Sequence, residues 1–232
     1  MTSIRRTAVI AGVLFLVTHV TSITGLALYG PVLKHADFIV GSGPDTPVLF
    51  GALLEVVLAL AVVGTAVTLF PVVKRHNESV ALGYVGLRTV EAGVIAVGVV
   101  PLLAIVTLRQ HGVGAIDVGK ALVAFHNWTF LVGPDLVLGT NTVLLAYVLY
   151  RSRLVPRFIP VLGLVGGPLV FVASTGELFG IFPQFSFWAA VTAIPVFAWE
   201  ICLAIYLIVR GFRPTTDARS ADSDLASVNR YR

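Results

Sequence analysis

Six apolar stretches run through the chain, at residues 8–29, 48–70, 80–108, 121–150, 158–180 and 187–209, with shorter segments rich in Gly, Pro, Asp or Arg between them. At a helical rise of about 1.5 Å per residue, each is long enough to cross a hydrocarbon layer roughly 30 Å thick. The pattern predicts an all-α integral membrane bundle of six transmembrane helices. Residues 1–210 form one domain on this reading, and the polar stretch 211–232 is expected to be a disordered tail. The first apolar run exceeds the roughly 7 to 15 residues of a signal-peptide core, so it reads as a retained span, with Arg5 and Arg6 as its anchor. Gly133-Pro134 interrupts the fourth run. Proline lacks an N–H and crowds the preceding turn, so a kink is expected there, with a freed carbonyl that something else must bond. Neither a second domain nor a sequence repeat is visible, and Glu55 and Glu177 fall near one membrane side instead of at the inverted depths that a three-plus-three repeat would give.

Composition sharpens this picture. Hydrophobic residues make up 57% of the 232 and charged residues only 12%, and the mean hydropathy is +0.93, too apolar for an ordinary soluble domain. The net charge of +4 does not point to nucleic acid, because the basic residues sort by connector. Twelve of the sixteen lie at the amino terminus, in the turns after the second and fourth spans, or from Arg210 onward. Lys34, Arg109 and Lys120 are the only ones in the opposite connectors. By the positive-inside rule, both termini are expected to be cytoplasmic. Trp128, Trp188 and Tyr29 are expected at the outer interface, and Tyr147 and Tyr150 at the inner one. Gly163, Gly166 and Gly167 in the fifth span predict close helix approach. The expected partner is the lipid bilayer, with a homo-oligomer left open and no nucleic acid.

The chemistry lies in polar residues inside the spans. Gly83-Tyr-Val-Gly-Leu-Arg-Thr-Val-Glu-Ala92 sets Arg88 and Glu91 in the third apolar run. Three residues apart, they share a helix face with Tyr84. A charge at the centre of a membrane helix costs about 2.5–3.5 kcal/mol even on mild insertion scales, so the face should point into the bundle. The spans hold Glu55, Glu91, Asp135, Glu177 and Glu200 against Arg88 as the single base. Arg88, Glu91, Asp135 and Glu200 form the expected polar centre near mid-depth. Glu55, His126 and Glu177 are expected in the outer half, the two acids hydrated and His126 interfacial beside Trp128. His19 and Tyr84 are further contributors. The excess acids must be protonated, hydrated or balanced by a bound cation. A structural network, with Arg88 joined to Glu91 on its own helix and to Asp135 or Glu200 across the bundle, competes with an ion- or proton-handling centre.

Enzyme signatures are lacking. Cys202 is the single cysteine, and the five histidines show no H-E-x-x-H or other close metal-ligand spacing. No G-x-S-x-G or P-loop string occurs. No catalytic residue, metal or cofactor is assigned.

The strings Arg6-Thr-Ala-Val-Ile-Ala-Gly-Val-Leu-Phe-Leu16, Gly83 to Ala92 as above, His126-Asn-Trp-Thr-Phe-Leu-Val-Gly-Pro134, Tyr150-Arg-Ser-Arg-Leu-Val-Pro-Arg157 and Phe197-Ala-Trp-Glu200 are distinctive as a set. Together they resemble the bacterial multi-pass membrane proteins of domain-of-unknown-function family 4386, over nearly the whole chain. The resemblance implies an integral protein of the bacterial inner membrane and supplies no catalytic residues. Three functions stay open: transport of a small solute or ion through the carboxylate/arginine centre; a non-catalytic membrane sensor or scaffold; and an intramembrane hydrolase using His126 with Glu55 or Glu177. Transport leads, because intramembrane acids commonly mark ion pathways.

Overall fold

The computed structural model describes residues 3–35, 37–184 and 186–214. The tail assigned to 211–232 lies outside the described residues beyond Pro214. Among the described residues the elements are α1 (Ser3–Leu28), α2 (Gly30–Lys34), a 3₁₀ turn (Phe38–Val40), α3 (Thr46–Val73), α4 (Glu78–Gln110), α5 (Ile116–Phe130), a π-helical segment (Leu131–Val137), α6 (Leu138–Ser152), α7 (Phe158–Leu178) and α8 (Phe187–Val209), with no strand. The stretch from α5 through the π segment to α6 is one continuous span, Ile116–Ser152. Six helices are therefore long and apolar enough to cross a membrane, each overlapping one of the six apolar runs. The protein is a multi-pass membrane protein.

The expected kink at Gly133-Pro134 takes a specific form. Pro134 sits inside the π segment, where the wider turn absorbs the missing N–H without ending the helix. Capping follows the sequence at two starts: Asn77 accepts from the Val80 N–H at the head of α4, and Ser186 accepts from the Ala189 N–H at the head of α8.

Sequence neighbours pack side by side, α1 on α3, α3 on α4, α4 on α5 and α6, α6 on α7 and α7 on α8; α8 then returns to α1 and closes a ring. Two ends can be told apart. One carries the chain start and the basic turns and is called the basic end here; the other carries the 29–45, 111–115 and 179–186 linkers and is called the connector end. At the basic end Arg5 of α1 donates to the carbonyls of Leu207 (3.0 Å), Ile208 (2.6 Å) and Val209 (3.2 Å) at the last turn of α8. A guanidinium there satisfies carbonyls that a helix terminus leaves unpaired and sits at the negative end of its dipole.

Small residues set the closest approaches. A Cβ at Gly12 would come within 2.7 Å of the Ala204 carbonyl oxygen, and one at Gly167 within 2.6 Å of the Gly139 carbonyl oxygen. The latter bears out the close-packing role expected of the fifth span. The largest core cluster lies in the basic half, where Phe15, Leu69, Leu149, Trp199, Leu203 and Leu207 are buried together.

The aromatic residues expected at the interfaces differ in burial. Trp128 and Trp188 are exposed on the bundle surface, as is Tyr147. Tyr29 departs from expectation: it is fully buried, at 0% exposure, because the chain turns back there and seats the ring against α3 at Gly51.

Candidate functional site

The centre of the ring is built from α4 outward. Helical spacing brings Tyr84, Arg88 and Glu91 to one face of α4; α3 and α6 pack against α4, and Arg88 reaches across to Glu200 of α8. Each guanidinium nitrogen of Arg88 has a partner. Nε donates to the Tyr84 hydroxyl at 3.3 Å, Nη1 to Glu91 at 3.3 Å, and Nη2 to Glu200 Oε1 on α8 at 2.7 Å. The Phe15 ring of α1 lies 5.5 Å from the guanidinium carbon, within cation–π range. Glu91 also accepts from Asn141 Nδ2 of α6 at 2.6 Å, which fixes the amide with its NH₂ toward the carboxylate. Arg88 and Glu91 are each only 3% exposed. The structure thus chooses Glu200, and not Asp135, as the cross-bundle partner of Arg88.

His19 of α1 reaches the same cluster. Its Nδ1 is 2.9 Å from the Phe15 carbonyl oxygen and must donate to it, and its Nε2 is 3.6 Å from Glu200 Oε2. A neutral ring protonated at Nδ1 would turn a lone pair toward the carboxylate. Attraction between them therefore needs a further proton, on Nε2 or on the carboxyl group.

Beside this cluster lies a cavity of about 240 Å³ to which all six spans contribute. Its polar lining is Thr18, His19 and Ser22 from α1, Arg88 and Glu91 from α4, Asp135 from the π segment and Glu200 from α8. Three carboxyl groups thus face one guanidinium, and that guanidinium is already engaged with two of them. Among the described residues no hydrogen bond or salt bridge holds the Asp135 side chain. It does not tie down the kinked backbone; the π turn directs it into the cavity instead.

The connector-half residues form a second group. Glu55 accepts from the Tyr29 hydroxyl at 3.3 Å, and the Tyr29 ring meets His126 edge-on with centroids 5.5 Å apart. His126 Nδ1 bonds the Gly98 carbonyl oxygen at 2.8 Å. Glu55 is 7%, Glu177 9% and His126 3% exposed, so the hydration expected of the two acids is corrected to burial, and His126 is a buried histidine with its Nδ1 bonded. The Tyr29 ring covers Glu55 and His126. A void of about 10 Å³ beside Glu55 and His126 shares Leu58, Ile95, Phe130 and Pro134 with the central cavity, so these apolar residues separate the two groups. Among the described residues no group of three or more His, Cys, Asp or Glu is placed to hold a metal ion.

Sequence reasoning missed Tyr29 as a polar partner and Asn141 as a member of the centre. Tyr29 resembled a belt residue because it ends an apolar run. Asn141 stood out as a polar residue inside the fourth span, but nothing in its neighbourhood marked Glu91, 50 positions away, as its partner.

The family model described as "Domain of unknown function (DUF4386)" matches residues 10–211. No curated protein and no solved structure matches the chain. The chain belongs to the DUF4386 family.

Proposed function

We propose that this DUF4386 member carries a small cationic solute or ion across a membrane, with the central cavity as its binding site. The observation that carries the reading is Asp135, an acid without a bonded cation in a cavity where Arg88 is already shared by Glu91 and Glu200. A buried acid that stays ionised needs a compensating positive charge, and a solute can supply it. Cation binding would draw on Asp135 directly and on Glu200 through its second oxygen, which now faces His19. The distribution of Lys and Arg supports a topology with both termini cytoplasmic, and the resemblance in sequence supports the bacterial inner membrane.

A second reading has its own support. Every guanidinium nitrogen of Arg88 is bonded, so the cluster also suits a sensor or scaffold in which buried charge fixes helix register. The two readings part on one experiment. The protein is reconstituted in proteoliposomes on a solid-supported membrane, and charge displacement is recorded on concentration jumps of sodium, ammonium and tetramethylammonium. Transport predicts a saturable current for at least one of them, with an apparent affinity at least about tenfold weaker in Asp135→Asn, as expected for loss of one charge-assisted contact. No current with any of the three, in protein that remains folded, would sink the transport reading and leave the register role.

A further inference from the structure

The helix ring is sealed unevenly where α8 returns to α1. In the basic half the two backbones nearly touch, at Gly12 against Ala204. At mid-depth His19 still meets Phe197, ring centroids 5.0 Å apart, and Glu200. Towards the connector end the same seam opens. Ile23 is 58% and Phe197 48% exposed, and Ala193 is exposed as well. Ile23, Ala193 and Phe197 all line the central cavity, while every lining residue from α3 and α4 is buried. The cavity therefore opens sideways between α1 and α8. By helical rise, these residues lie about 7–15 Å below the connector-end tips of their helices, a depth that hydrocarbon covers in a bilayer.

We infer that this seam is a lateral doorway and that the site takes a cationic amphiphile, an alkylammonium whose head rests by Asp135 and Glu200 while its chain leaves between Ile23 and Phe197 into lipid. The inference rests on the small-cation reading and adds the ligand class and the route. Two features select this chemistry. The polar floor has more carboxyl groups than bases, so an anionic or phosphate head would add repulsion, whereas an ammonium head offsets the excess. The doorway is apolar at Ile23, Ala193 and Phe197, so it receives a chain without stranding a polar group. A chain that stays in lipid need not be withdrawn into water, and partitioning concentrates its head beside the doorway. A site entered only from water would reverse this, because each buried methylene would then have to be extracted.

The test is displacement of radiolabelled tetramethylammonium from the full-length protein in lipid nanodiscs by unlabelled tetramethylammonium, dodecyltrimethylammonium and dodecyl sulfate. Dodecyltrimethylammonium should displace the label at a total concentration at least about tenfold lower than tetramethylammonium, given the partition free energy of its chain. Dodecyl sulfate should not displace it. In Ala193→Trp, and independently in Ile23→Trp, the ratio between the two ammonium ions measured on the same variant should collapse to within about twofold, since an indole fills the doorway. Saturable tetramethylammonium binding with no advantage for the longer chain, or with equal displacement by dodecyl sulfate, overturns the doorway and leaves the small-cation reading standing. A ratio that persists in both tryptophan variants does the same. No saturable tetramethylammonium binding overturns both.

Discussion

At Gly12 the backbone of α1 lies so close to α8 that one added carbon would come within 2.7 Å of a carbonyl oxygen, yet further along the same helix Ile23 stands 58% exposed across from an exposed stretch of α8. The basic half and the connector half of the bundle use the same six helices and solve different problems. In the basic half, Gly and Ala let backbones approach, large side chains fill the centre, and Arg5 ties the start of α1 to the end of α8. In the connector half, the α1–α8 seam parts, and a π turn interrupts the fourth span at mid-length. The buried charges lie at the boundary between the two. This comparison shows why a polar site can persist there: the sealed half fixes where Arg88, Glu91 and Glu200 stand, so the open half need not be tightly packed to hold them in register.

Breaking the boundary should have the largest effect. Arg88→Leu leaves Glu91 and Glu200 buried without their shared cation, and the expected cost is about 3–5 kcal/mol of stability. Low folded yield and a lowered unfolding midpoint in detergent would register it; an unchanged midpoint would show that the carboxyl groups do not depend on the guanidinium. Adding Glu200→Leu to that variant should recover part of the loss, since it removes one of the stranded acids.

The two halves can next be compared with one kind of change. Gly12→Leu forces a side chain against the α8 backbone and should cost about 1–3 kcal/mol. Ala193→Leu adds bulk at the open seam and should stay within about 0.5 kcal/mol of wild type. Equal midpoints for the two variants, read by the same thermal unfolding assay, would mean that the seam is closed along its whole length.

The smallest effect concerns a single bond across the ring. Asn141→Ala removes the Nδ2 donor to Glu91, and hydrogen bonds between membrane helices average about 0.6 kcal/mol with a maximum near 1.7. A shift within that range supports an accessory role for Asn141. A loss as large as that of Arg88→Leu would place Asn141 among the residues that hold the boundary.

What the sequence determined by itself is whatever depends on composition or on neighbours along one helix. The six spans follow from apolar length, the break in regular α-helix in the fourth from the missing N–H of Pro134, and the Arg88–Glu91 contact from a spacing of three residues on α4. Only the tertiary structure decided the rest. Glu200 reaches Arg88 across 112 positions of sequence because the ring sets α8 across from α4, and Tyr29 reaches Glu55 across 26 because the end of α1 packs on α3. The same packing buries Glu55 and Glu177, which their charge and place near a span end put in water, and leaves Asp135 lining the cavity with no bonded cation among the described residues. It also opens the α1–α8 seam. The physical reason is one of range: backbone geometry fixes the relation between residues a turn apart, whereas the partner of a buried charge depends on which helix the packing of all six brings opposite it.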